Sequence, residues 1–157
     1  MKKLILYLLL FFPLVANSQS FVGKIIYVSD GDTFHFVEKG KFQNQKIRVR
    51  LAEVDCPEST QPYGLEAKEF VMDRIFKKTV MIHQTDIDQY GRTIAHVFYG
   101  DGKNLAEELL SNGYAWHYKR YSDSQTYADL ELVAKTQKIG LFKNSDQIPP
   151  WEWRKNH

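Results

Sequence analysis

One cysteine stands in 157 residues, Cys56. A lone cysteine cannot close an internal disulfide, so the chain is not a disulfide-held scaffold. Asp55 and Pro57 flank it; an adjacent carboxylate raises a thiol pKa, which argues against a nucleophilic role. No CxxC pair is present, and the histidines at 35, 83, 96, 117 and 157 lack zinc spacing. There is no GxxxxGK[ST] phosphate loop and no GxSxG elbow, which removes P-loop and serine-hydrolase chemistry. Internal repeats and low-complexity linkers are missing too, so neither a repeat array nor a disordered chain fits. Finally, an excess of one charge is lacking. The 21 Lys and Arg nearly balance the 19 Asp and Glu, so any site for a polyanion must come from a local gathering of cations.

What is present starts with an address. Lys2 and Lys3 precede an apolar run, Leu4 to Ala16, interrupted by Pro13. This is the layout of a secretory signal peptide and too short for a membrane span. Ala16 and Ser18 suit the cleavage-site positions, giving residues 1–18 as signal peptide and 19–157 as one domain. Without Lys2 and Lys3 the remaining chain is expected to be formally neutral. A secreted or periplasmic location is expected, with no membrane attachment after cleavage. Hydrophobic residues at 43% and aromatics at 14% suffice for a buried core.

The first half reads as strands: Phe21 to Val28, Thr33 to Val37, and Lys46 to Val54. In the last, Ile47, Val49 and Leu51 alternate with Arg48 and Arg50, giving one apolar and one guanidinium face. Tyr63 to Lys77 carries Ala67, Phe70, Val71 and Ile75 at helical spacing. Strands at Thr79 to Thr85 and Thr93 to Tyr99 enclose a polar loop. Asn104 and Glu107 suggest a capping box for a helix that stops at Asn112-Gly113. A further helix spans about Thr126 to Lys138. In the tail, Pro149-Pro150-Trp151-Glu152-Trp153, the prolines argue against helix and the tryptophans are expected to pack back on the body. Five strands followed by helices fit a small closed barrel, an α+β protein with an OB-fold five-stranded barrel and three α-helices.

Three segments carry candidate chemistry: Asp30-Gly31-Asp32-Thr33, Arg50 to Glu58, and Asp88-Gln89-Tyr90-Gly91-Arg92. Asp32, Asp55 and Glu58 fall at strand ends, where a barrel brings distant positions together. Carboxylates held close need a proton or a cation, and hard oxygen donors suit Ca²⁺ or Mg²⁺. Turn formation alone would equally explain Asp30 and Asp32. Arg50 and Arg92 offer planar forks that match phosphate oxygens. Carboxylates around a cation, flanked by arginines, are what attack on a phosphodiester requires; ordinary surface ion pairs are the plainer alternative.

The motifs DGDT, R-x4-D-x-P-E and D-x-YGR occur here in one order between about Phe21 and Gly140. This combination resembles the staphylococcal nuclease (thermonuclease) family. The resemblance implies a calcium-dependent endonuclease that cleaves DNA and RNA and leaves 3′-phosphates. It implies Asp32, Asp55 and the Cys56 carbonyl as Ca²⁺ ligands, with Arg50, Glu58 and Arg92 catalytic and Tyr121 touching the nucleotide. Gln89 stands where the best-known member has Lys, and Lys119 falls two positions before Tyr121 where Tyr would be expected. Tyr90, Tyr118 and Tyr121 are expected to stack exposed bases, so single strands should be favoured, and a monomer is expected. Two other classes remain open: a catalytically inactive OB-fold module binding nucleic acid or oligosaccharide, and a calcium-stabilised structural domain.

Overall fold

The computed structural model describes residues 19–157; the expected signal peptide, residues 1–18, lies outside the described residues. Strands β1 (Gln19–Val28), β2 (Thr33–Glu38) and β3 (Ile47–Leu51) form an antiparallel meander. After helix α1 (Gly64–Ile75), β5 (Thr79–Ile87) pairs with the other edge of β1, and β6 (Thr93–Tyr99) follows antiparallel. A parallel pairing of β3 with β6, Val49 opposite Thr93 and Leu51 opposite Ala95, closes the sheet into a five-stranded barrel. Closure removes the free edges that an open sheet would expose. The fold class read from the sequence is therefore borne out.

The barrel interior follows strand alternation. Ile25, Phe34, Phe36, Val49, Leu51, Ile82, Ala95 and Val97 point inward and are buried. Ala67, Val71 and Ile75 of α1 cap one end. Helix α2 (Leu105–Ser111) adds Leu105, Leu109 and Leu110, all fully buried. Each such side chain contributes about 1.5–3 kcal/mol by leaving water. The two-residue strand β7 (Lys103–Asn104) pairs antiparallel with the end of β6, and β4 (Val54–Asp55) pairs with β8 (Trp116–His117) in a small second sheet. Helix α3 (Gln125–Thr136) packs on α2 and β8.

Four local expectations need correction. The stretch from Lys46 to Val54 is not one strand: Glu53 takes a left-handed backbone, φ 65°, and splits β3 from β4. Ile47 lies at the barrel rim and is exposed instead of joining the core. At α2 the Asn104 side chain accepts from the Ala106 N–H at 2.9 Å as expected of a cap. Glu107, however, accepts from the Asn104 side-chain amide, so the reciprocal box does not form. Lastly, the tail is a fourth helix, α4 (Pro150–Asn156), with Pro149 as its extended N-cap. Proline at the first helical position loses no hydrogen bond, and its fixed φ already suits the helix. Trp151 packs on the body, stacked on Tyr118 at 5.1 Å and 2°. Trp153 instead stacks on His157 within the tail, at 3.8 Å. Among the described residues, no helix is long and apolar enough to cross a membrane.

Candidate active site

The site grows from the tight turn between β1 and β2. The Ser29 and Asp30 amides donate to the Thr33 carbonyl, and the Asp32 N–H donates to Asp30 Oδ1 at 3.1 Å. Asp30 is thus the turn former, and Asp32 is the side chain the turn aims inward. Gly31 is needed for proximity: a Cβ there would lie 2.8 Å from Cys56 Cβ and 2.9 Å from its Sγ. With that space free, the Cys56 amide donates to Asp32 Oδ2 at 2.7 Å. The turn and the segment after β4 are locked together, and Asp32 and Asp55 are both buried.

Arg50 organises this pair. Its neighbours Val49 and Leu51 face the core, so alternation places Arg50 on the outer barrel face. One terminal nitrogen donates to the Leu51 and Val54 carbonyls at 2.6 and 2.8 Å. The other lies 2.7 Å from Asp55 Oδ1 and 3.2 Å from Asp32 Oδ2. A planar fork can satisfy acceptors on both nitrogens at once, which an ammonium cannot.

Glu58 sits on a loop held from both sides. Its amide donates to Gln61 Oε1, the Gln61 amide returns to the Glu58 carbonyl, and Gln61 Nε2 donates to the Ile148 carbonyl of the tail at 2.7 Å. Gly64 lets α1 start against this loop, since a Cβ there would collide with the Glu58 carbonyl. The Glu58 carboxylate is partly exposed and accepts from Arg154 Nη1 at 2.5 Å. Arg154 also donates to both Asp55 oxygens, at 2.7 and 3.3 Å. Sequence reasoning missed Arg154. The cue was a proline pair able to start a helix, with a cation four residues into it.

Asp32, Arg50, Asp55, Cys56 and Glu58 are therefore brought together. Arg92 is not part of that group: the β3–β6 seam, where Val49 faces Thr93, sets its loop beside the start of the Arg50 strand. Thr93 points inward, so Arg92 shares the outer face with Arg50. Its side chain contacts its own loop instead of the carboxylate cluster: Nε donates to Asp88 Oδ2 at 2.7 Å, and the guanidinium lies 5.6 Å from the Tyr90 ring centre. Tyr90 and Tyr121 are 73% and 63% exposed, free to meet a ligand.

Electrostatics mark the cluster as short of positive charge. Burial and the neighbouring Asp32 push Asp30 up to about 7. Burial and Asp32 also raise Asp55, against the opposing pull of Arg154 and Arg50. Burial alone would lower the Arg50 pKa, but Asp32 and Asp55 raise it. Burial followed by Asp32 pushes the Cys56 thiol well up, so it is a neutral, enclosed group and no nucleophile. Among the described residues, no three His, Cys, Asp or Glu side chains converge as a metal-ligand set. A cation here would draw on the Asp32 and Asp55 carboxylates and on main-chain oxygen. The donors suit a hard ion in type, and the Arg154 guanidinium on Asp55 and Glu58 shows that the cluster accepts added positive charge.

Comparison with known proteins gives the family. Residues 48–144 match the family model described as staphylococcal nuclease homologue. An uncharacterized endonuclease of Haemophilus influenzae is 35% identical over 156 residues, covering 98% of this chain and 85% of that protein. The micrococcal nuclease of Shigella flexneri is 34% identical over 146 residues, 86% of this chain and 81% of its own. The staphylococcal-like nuclease CAN1 of Arabidopsis thaliana is 38% identical over 120 residues, 73% of this chain and 37% of its own. The matched span runs from the strand bearing Arg50 past Asp55, Glu58 and Arg92, so with its closed barrel this chain belongs to the staphylococcal nuclease family.

Proposed function

We propose that the chain is a secreted, Ca²⁺-dependent endonuclease that hydrolyses DNA and RNA and leaves 3′-phosphate ends. The observation that carries this is the convergence of Asp32 and Asp55 on one Arg50 terminal nitrogen, with Glu58 on the adjoining loop. Asp32, Asp55 and the Cys56 carbonyl would hold the calcium ion, which when bound supplies positive charge against the phosphate oxygens.

The chain's own residues do the rest. Glu58, partly exposed, is the group able to orient water and take its proton. As the water oxygen bonds to phosphorus, the bond to the 5′ oxygen breaks, and that oxygen takes a proton from solvent. Arg50 and Arg92, on one barrel face, add positive charge where the phosphorane charge develops; such preorganised donors are worth about 10²–10³ in rate. Arg50 also fixes the two aspartates, so catalytic geometry and fold depend on the same side chain. Tyr90 and Tyr121, by their exposure, suit stacking on unpaired bases, which favours single-stranded substrate.

The test is digestion of denatured DNA and of RNA by the purified protein across a divalent-ion series, with analysis of product ends. Cleavage with Ca²⁺, arrest by chelator, 3′-phosphate ends and a loss of about 10²-fold or more in Glu58→Gln are expected. Binding without cleavage would favour the inactive module instead. Detection of the processed protein outside the cytoplasm tests secretion.

A further inference from the structure

We infer that the groove between β8, α3 and α4 is a second binding site, seating the part of a single-stranded nucleic acid that runs on from the scissile phosphate. The inference rests on the nuclease reading above and extends it to a surface beyond the carboxylate cluster. Three observations carry it.

The first is position. The groove, about 590 Å³, shares Arg154 with the cluster: that side chain lines the groove and bonds Asp55 and Glu58. The groove therefore adjoins the proposed phosphate site through this one side chain. The volume falls within the roughly 300–1,000 Å³ typical of ligand sites.

The second is charge. The whole chain carries a formal charge of only +2, yet Lys119, Arg120, Lys135, Arg154 and Lys155 all line this groove. Its one acidic residue, Glu131, is buried and already paired with Lys135 at 2.9 Å. Lys155 is paired with Glu152 at 2.9 Å and Arg154 with Asp55 and Glu58, whereas Lys119 and Arg120 are exposed and, among the described residues, have no ion-pair partner. This is the local gathering of cations that a near-neutral protein needs in order to hold a polyanion.

The third is the aromatic wall. Among the lining residues, Trp151 and Tyr118 are stacked at 5.1 Å and 2°, and Trp116 meets Trp151 edge-on at 6.2 Å. The row is preformed, so ordering it costs a ligand nothing, and bases gain about 1–3 kcal/mol each by stacking on such rings. A duplex hides its base faces; an acidic polypeptide has none. Cations beside stacked aromatics therefore select single-stranded polynucleotide.

The experiment compares the wild type with Lys119→Ala/Arg120→Ala, both exposed and outside the carboxylate cluster. Substrates are a dinucleotide and a single-stranded 12-mer, each with Ca²⁺. For the 12-mer the variant should raise KM about fivefold or more and leave kcat unchanged. The slope of log KM against log salt should weaken by roughly 1.4, the value for two lost contacts to single-stranded phosphates. Dinucleotide cleavage should not change. Fluorescence anisotropy of the labelled 12-mer in chelator should show the same loss of binding, independent of catalysis. Equal kinetics on the 12-mer, or equal losses on both substrates, would overturn the groove assignment while leaving the nuclease reading intact. Competition by polyglutamate as effective as by unlabelled 12-mer would also overturn it. If the wild type cleaves neither substrate, the nuclease reading fails. Anisotropy that still differs between the proteins would then keep the groove as a nucleic-acid site.

Discussion

Arg154 and Asp55 stand 99 positions apart in the chain, and their Nη2–Oδ2 distance is 2.7 Å. With Arg50 on Oδ1 at 2.7 Å, both oxygens of Asp55 are held by guanidinium groups. Asp55 cannot also serve a metal fully unless Arg154 yields. A divalent cation held there, as proposed, would compete with the tail arginine for the same charge.

Arg154→Gln tests that competition. Calcium affinity, measured by titration calorimetry without nucleic acid, should tighten roughly tenfold, because a unit charge beside the site is gone. The chelated protein should lose on the order of 1 kcal/mol, since Arg154 is 43% exposed and water screens it. That corresponds to a melting shift of roughly 2–4 °C. Calcium affinity that stays equal or weakens would show that Arg154 is no competitor.

Arg50 is a different case because it is enclosed, only 12% exposed, and serves four acceptors. Arg50→Ala leaves Asp32 and Asp55 buried beside each other without their shared cation. A cost of about 3–5 kcal/mol follows, or roughly 10 °C in melting temperature. Arg50→Lys should fall between the two, since an ammonium retains charge but cannot bridge the Leu51 and Val54 carbonyls and both aspartates. Thermal melts in chelator measure this. A melting point within 2 °C of wild type for Arg50→Ala would contradict the structural role.

These two arginines also show what a sequence can reveal. Arg50 was legible because strand alternation and its five-residue spacing from Asp55 are local facts. The DGDT turn was legible for the same reason. Arg154 was not: its partners lie 96 and 99 positions away, and nothing in Pro-Trp-Glu-Trp-Arg states where a short helix will dock. The prolines read as breakers because their effect depends on position, harmful inside a helix and favourable at its first turn. The closed barrel was legible from the strand inventory, but the parallel seam that closes it was not, since β3 and β6 share no turn. The split at Glu53 rests on one left-handed residue of a type that seldom adopts it.

Asp88 positions Arg92 instead of acting directly. Its Oδ1 accepts from the Tyr90 and Arg92 amides at 2.9 and 3.0 Å, while Oδ2 holds Arg92 Nε at 2.7 Å. Burial works against the charged carboxylate, but the Arg92 amide and side chain and the Tyr90 amide hold its pKa low. Asp88→Asn keeps one oxygen for the loop and loses the anion that aims Arg92. We expect a melting temperature within 2 °C of wild type and kcat lower by about tenfold, a share of what a preorganised phosphate donor supplies. Full activity with an intact loop would show that Arg92 needs no such aiming.

His117 gives the fold a sensitivity to mild acid. The residue is 3% exposed and meets Tyr127 edge-on at 6.0 Å. Burial lowers its pKa below the ordinary 6.5; Glu131 and Glu53 oppose that, and Lys119 adds to it. The unfolded histidine then takes up a proton at a pH where the folded ring stays neutral, so stability is lost as pH falls below 6.5. Asp30 acts in the opposite sense. With its folded pKa raised to about 7, it binds a proton first in the folded state and adds stability as pH falls through that range. The contribution of His117 therefore has to be read as a difference between two proteins that share Asp30. Urea midpoints at pH 7.5 and 5.5, in chelator, should fall more for wild type than for His117→Asn. An identical change in both would mean that His117 keeps an ordinary pKa in the folded protein and contributes nothing to acid sensitivity.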